Sequence, residues 1–161
     1  MMAGFLRPAA GRLAWHGAPI EIDLATHRRH LCYLGHADAV KGALTVRENL
    51  ALAVALWKGA PDRLDGALER FDLAVLADTP ARYLSAGQRR RLALARLLTG
   101  ERPLWLLDEP GVGLDAANRT CLEQVIAEHR TAGGLVALAT HGDTTIDDAV
   151  ELQLGLKASG G

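Results

Sequence analysis

Long apolar runs are missing. Nothing in the 161 residues approaches the roughly 20 consecutive apolar positions that cross a bilayer, so any link to a membrane is expected to run through a partner. The opening Met1-Met2-Ala3-Gly4-Phe5-Leu6-Arg7-Pro8 has no basic lead and is too short an apolar block for a secretory signal, which points to the cytosol. Cysteine is scarce too. Cys32 and Cys121 stand alone with no Cys-x-x-Cys spacing, which argues against a disulfide framework and suits a reducing compartment. Excess charge of one sign is absent: a net charge of −1 gives no overall basic field for nucleic acid or anionic lipid. The six histidines are scattered, and His27 and His30 lack a third ligand nearby, so they read as solvated side chains.

What is present is enough apolar residue, 49% of the chain, for one domain with a real core. The most informative stretch runs from Tyr83 to Asp115. Ser85 stands three residues before Gln88, the spacing of a capping box, so a helix is expected to start there. Ala86 and Gly87 leave its first amides sterically open, and a helix N-terminus with open amides attracts anions. Leu104 to Leu107 is a short apolar run between Pro103 and Asp108, as expected of a strand covered on both faces. Open parallel sheets bind ligands beyond the carboxyl ends of their strands, where Asp108 and Glu109 fall. Asp108 is suited to Mg²⁺, and Glu109 to orienting or deprotonating a water.

Leu84-Ser85-Ala86-Gly87-Gln88 resembles the signature motif of the ATP-binding cassette (ABC) ATPases. Leu104 to Asp108 is similar to their Walker B strand with Glu109 as the catalytic glutamate, and Gly113-Leu114-Asp115 to their D-loop. His141 stands where the family's H-loop histidine contacts the terminal phosphate, and His36 where its Q-loop carries glutamine. The resemblance implies an α/β fold of the P-loop NTPase type, a RecA-like parallel sheet with an inserted α-helical ABC subdomain. Residues 1–161 then form a single nucleotide-binding domain, with 1–42 and 99–161 as core and 43–98 as helical subdomain. It also implies ATP and Mg²⁺ as cofactors, a head-to-tail dimer with a second nucleotide-binding domain, and transmembrane permease subunits as partners. The implied location is peripheral, on the cytoplasmic face of the inner membrane.

The remaining segments fit that frame. Met1 to Leu6 reads as the last turn of a helix stopped by Pro8, and Arg12–Trp15 with Ile20–Ile22 as a small hairpin. His27, Arg28, Arg29 and His30 form a basic patch read as a solvated face, followed by a strand at Leu31–Leu34. Thr45 and Glu48 form a second capping box ahead of an amphipathic helix reaching Trp57. Arg89, Arg90, Arg91 and Arg96 read as a helix face meeting phosphate or solvent. Asp115 is expected to cap a helix over about 116–130. Strands are expected at Leu135–Ala139 and Val150–Leu154, with a frayed tail from Lys157 to Gly161.

One family element has no counterpart. The lysines are Lys41, Lys58 and Lys157, and none stands in a Gly-x-x-x-x-Gly-Lys-Ser/Thr loop, which would supply most of the grip on the phosphates. In the family this loop precedes the segment matched by Ala3 to Pro8, so the chain is expected to be truncated. It would lack the first strand, the phosphate loop and most of its helix, and be inactive alone. The missing strand would lie between Leu135–Ala139 and Val150–Leu154, leaving apolar surface uncovered there.

Arg7-Pro8-Ala9-Ala10-Gly11-Arg12-Leu13-Ala14-Trp15-His16-Gly17, Tyr33-Leu34-Gly35-His36, Ala86 in the signature, and Arg102-Pro103-Leu104-Trp105 narrow the resemblance. They are similar to the haem exporter ATP-binding subunits of bacterial cytochrome c maturation. The alternatives are an ABC ATPase for another exported substrate and a non-enzymatic truncated remnant. A DNA-repair or chromosome-structure ATPase would need heptads or a basic surface, and neither is present.

Overall fold

The computed structural model describes residues 2–140, 146 and 148–151. A two-residue hairpin, β1 (Ala14–Trp15) and β2 (Ala18–Pro19), comes first, followed by a short helix α1 (Leu24–Arg29) and strand β3 (Leu31–Leu34). Three helices then follow, α2 (Val46–Trp57), α3 (Arg63–Arg70) and α4 (Ala86–Ala95). Strand β4 (Leu104–Asp108), helix α5 (Ala116–Thr131) and strand β5 (Leu135–Ala139) complete the described elements. β3, β4 and β5 form one parallel sheet with β4 central, in a register that sets Leu34 beside Leu107 and Asp108 beside Ala139. The chain is thus α/β, as the resemblance implies.

β4 is apolar throughout because both of its faces are covered. Trp105 and Leu107 point into the main core with Leu34, Leu92, Leu122 and Ile126. Leu104 and Leu106 point the other way, into a smaller cluster with Ala3 and Leu31. The main core continues between α2, α3 and α4, where Phe71, Leu50, Leu68 and Leu92 are fully buried. Each such side chain stabilises the fold by about 1.5–3 kcal/mol relative to exposure.

Both expected capping boxes are formed. The Thr45 hydroxyl accepts from the Glu48 amide while the Glu48 carboxylate accepts from Thr45 N–H at 2.7 Å. Ser85 and Gln88 make the same pair of bonds at the start of α4. Buried Asn49 secures the approach to α2: its amide donates to the Lys41, Leu44 and Thr45 carbonyls, and its oxygen accepts from Lys41 N–H.

Several expectations change. Met2 to Leu6 forms turns and bends instead of a helical turn, because Gly4 takes a left-handed backbone (φ 70°) that interrupts any helical ladder. Ile20–Ile22 is a 3₁₀ turn instead of a second hairpin strand. The basic patch lies on α1, capped by Asp23, whose carboxylate accepts from Thr26 N–H. His27 on that helix is buried, with its Nε2 2.9 Å from Met2 O. Val150 and Glu151 carry no strand, and the rest of the expected strand and the tail lie outside the described residues. Among the described residues nothing pairs with the outer edge of β5. Leu135 there is 56% exposed and lines an apolar cleft of about 310 Å³ with Met2, Trp15, Ile20 and Leu104.

Candidate functional site

Asp108 ends β4, at the carboxyl edge of the sheet, and both it and Glu109 are half-buried. Glu109 leaves the strand with a left-handed backbone, φ 47°. A non-glycine residue there costs roughly 1–3 kcal/mol and persists only where its surroundings impose it. Those surroundings are identifiable. The Glu109 N–H donates to Ala139 O at 2.8 Å. The buried guanidinium of Arg90, on α4, donates to the Asp108, Glu109 and Pro110 carbonyls at 3.0, 2.6 and 3.2 Å.

Arg90 also ties in the segment after β3. It donates to Gly35 O at 3.2 Å and to the Asp38 carboxylate at 3.0 Å. Arg96, one and a half turns further along, donates to Asp38 O and Ala39 O. Burial lowers the pKa of Arg96 from its usual value, while Cys32 and Asp38 oppose that shift. His36 sits on this tethered segment and is itself exposed.

The start of α4 is open. Ser85 and Ala86 are exposed, Gly87 and Gln88 half-buried, and Leu84 is packed into the core. A methyl group on Gly87 would stand 3.2 Å from Gly113 O, so the turn of Gly111 to Gly113 lies directly against this helix start. Asp115 follows that turn as the N-cap of α5, its carboxylate accepting from Asn118 N–H at 2.8 Å. That backbone bond is the main reason its pKa lies below the ordinary 3.8. The fold therefore gathers the 84–88, 108–109 and 113–115 segments, with the His36 segment joined to them through Arg90. His141 lies outside the described residues.

The arginines correct an expectation. Arg89 donates to Leu84 O, Arg90 is 5% exposed, and Arg91 donates to Phe71 O and Asp72 O, closing the C-terminal end of α3. They form an internal set of carbonyl donors, not a phosphate-facing or solvated row. Helical spacing alone carried no signal for this, because it does not tell which of three successive arginines is buried.

The donor chemistry at the end of β4 suits a hard cation. Among the described residues no group of three or more His, Cys, Asp or Glu converges on one point, so no all-protein cage exists. Asp108 and Glu109 supply a few carboxylate oxygens. Mg²⁺ takes such a site when phosphates and waters fill its other positions.

The family model for ABC transporters matches residues 1–112. The chain belongs to the ABC transporter family. It is 50% identical to the cytochrome c biogenesis ATP-binding export protein CcmA of Paramagnetospirillum magneticum over 158 residues, covering 96% of this chain and 73% of that protein. It is 48% identical to the protein of the same name from Rhodospirillum rubrum, covering 96% of this chain and 66% of the relative. The corresponding protein of Nitrosococcus oceani is 44% identical, with 96% and 71% covered. Among solved structures, an ATP-binding subunit of an ABC transporter superposes with a TM-score of 0.77 at 25% identity, over 88% of this chain and 60% of that one. An ATP-binding cassette dimer in a post-hydrolysis state, bound to ADP and Pi, superposes with a TM-score of 0.74 at 24% identity. It is covered over 66% of its length and 86% of this chain. The chain thus spans roughly three-fifths to three-quarters of the proteins it matches.

Proposed function

We propose that the chain is the ATP-hydrolysing subunit of an ABC transporter that drives haem export for cytochrome c biogenesis. The observation that carries this reading is a pair of carboxylates at the end of a buried parallel strand in a chain that also presents an open, capped helix start. Residues 43–98 are read as the helical subdomain and the rest as the core. In a head-to-tail dimer, the amides at Ser85 to Gln88 of one subunit, with Leu84 packed beneath them, would face the terminal phosphates of ATP bound on the other. Asp108 would hold Mg²⁺, which neutralises charge on the phosphates, directly or through water. Glu109 would orient the attacking water and take its proton. His141 would contact the γ-phosphate, Asp115 of the D-loop would help line the nucleotide site, and His36 would report site occupancy to the helical subdomain.

Cargo recognition then belongs to the transmembrane permease subunits, with this chain docked on the cytoplasmic face of the inner membrane. No helix among the described residues is long and apolar enough to cross a membrane. The haem reading rests on the names of the relatives and on the motif variants Ala86 and Gly35-His36. Because no Gly-x-x-x-x-Gly-Lys-Ser/Thr occurs in the sequence, the chain by itself is read as unable to turn over ATP.

The test is Glu109→Gln in an assembled transporter whose nucleotide-binding subunit is a full-length homologue carrying the phosphate loop. ATP turnover should fall by about 10²–10⁴-fold, the scale of general-base catalysis, while ATP remains bound. Turnover within a few-fold of the unaltered protein would overturn the assignment of the base.

A further inference from the structure

We infer that Arg90 is a positioning residue that sets the direction of the Glu109 carboxylate and ties it to the start of α4; this rests on the reading of Glu109 as the base.

Two facts make Arg90 unusual. Its side chain is 6% exposed, yet its one acidic partner among the described residues, Asp38, is 26% exposed, so that ion pair alone does not account for burying a guanidinium. The remaining donors go to four main-chain carbonyls, three of them consecutive: Asp108, Glu109 and Pro110.

That choice of acceptors has a geometric consequence. The Asp108 carbonyl belongs to the peptide plane before the Glu109 Cα, and the Glu109 carbonyl to the plane after it. Fixing both planes fixes φ and ψ of Glu109, and with them the direction of its Cα–Cβ bond. The first plane is held from its other side as well, by the Glu109 N–H on Ala139 O. The second is held only through its carbonyl side, because Pro110 has no N–H. That carbonyl accepts from Arg90 at 2.6 Å and from Val112 N–H at 3.2 Å. The left-handed φ of 47° at Glu109 is thus held from β5, from Val112 and, through Arg90, from α4. Because α4 begins at the Ser85–Gln88 capping box, a shift of that helix moves Glu109 with it. The third contact point, Gly35 and Asp38, extends the coupling to the His36 segment.

The test compares Arg90→Lys, Glu109→Gln and the double variant in the same phosphate-loop-bearing transporter. Lysine keeps the charge but cannot span three carbonyls. Arg90→Lys should lower kcat for ATP about tenfold or more, with KM within twofold, at a temperature where the variant stays folded. The double variant should be no slower than Glu109→Gln alone, as expected of residues that act as a unit. Full turnover by Arg90→Lys, an equal effect on KM, or effects that multiply would overturn the inference. Unimpaired turnover by Glu109→Gln would instead remove the base assignment, and the inference with it. Where Arg90→Lys does not fold, Arg90→Gln carries the same comparison without a buried charge. Amide exchange supplies a readout independent of turnover. Exchange at Glu109 should quicken about tenfold in the Arg90 variant while α5 amides stay protected; unchanged exchange at Glu109 contradicts the proposal.

Discussion

Arg90 and Arg91 are sequence neighbours with opposite duties: one reaches the sheet end, the other the end of α3. No sequence pattern separates them, because the distinction depends on which strand packs beside α4. The carboxylates were legible because type and position agreed, a buried apolar run ending in Asp-Glu. Trp105 and His129 give a second case that only the fold reveals. Their rings stack at 3.7 Å with 5° between planes, and burial lowers the His129 pKa from its ordinary 6.5. The neutral ring is therefore favoured in the folded chain. Its contribution is fully present above pH 6.5 and is lost as pH falls below 6.5 towards the folded-state value. Thermal melts between pH 7 and 5 should show a falling midpoint, with a shallower fall in His129→Phe. Identical slopes would remove His129 from the account.

Helices with a cap signal were readable from sequence, because Thr45, Ser85 and Asp115 satisfy first-turn amides by local bonds that do not depend on the rest of the fold. Helix α1 was missed although Asp23 and Thr26 offer the same local logic. Its six residues present a basic run that looks like a solvated patch, and the burial of His27 comes from the Met2 to Gly4 segment folding across it. Long-range packing of this kind leaves no periodic mark. The join between α2 and the turn after α4 is also tertiary. Lys58 ends α2 in a left-handed conformation, and a methyl group on Gly59 would meet Thr99 O at 2.0 Å. Gly59→Ala should therefore destabilise the fold by about 2 kcal/mol or more, since neither backbone can yield cheaply. Chemical denaturation checks it, and a loss below about 0.5 kcal/mol would mean that the two segments separate freely.

At the scale of the whole molecule, the sheet brings together segments that are distant in sequence. β3 lies beside β4 and β4 beside β5, so the segments following β3 and β4 share one edge. The parallel order was implied by the family resemblance, and the strands by their apolar runs. The central claim is that Ser85 to Gln88 and Asp108–Glu109 are two walls of one ATP clamp. Hydrogen exchange at the Ala86 and Gly87 amides in the phosphate-loop-bearing Glu109→Gln transporter tests it most directly. Added ATP should slow exchange at both amides by at least about tenfold, as phosphate oxygens take up donors that are open in the free chain. Equal exchange with and without ATP, in a preparation that holds the nucleotide, would contradict the claim.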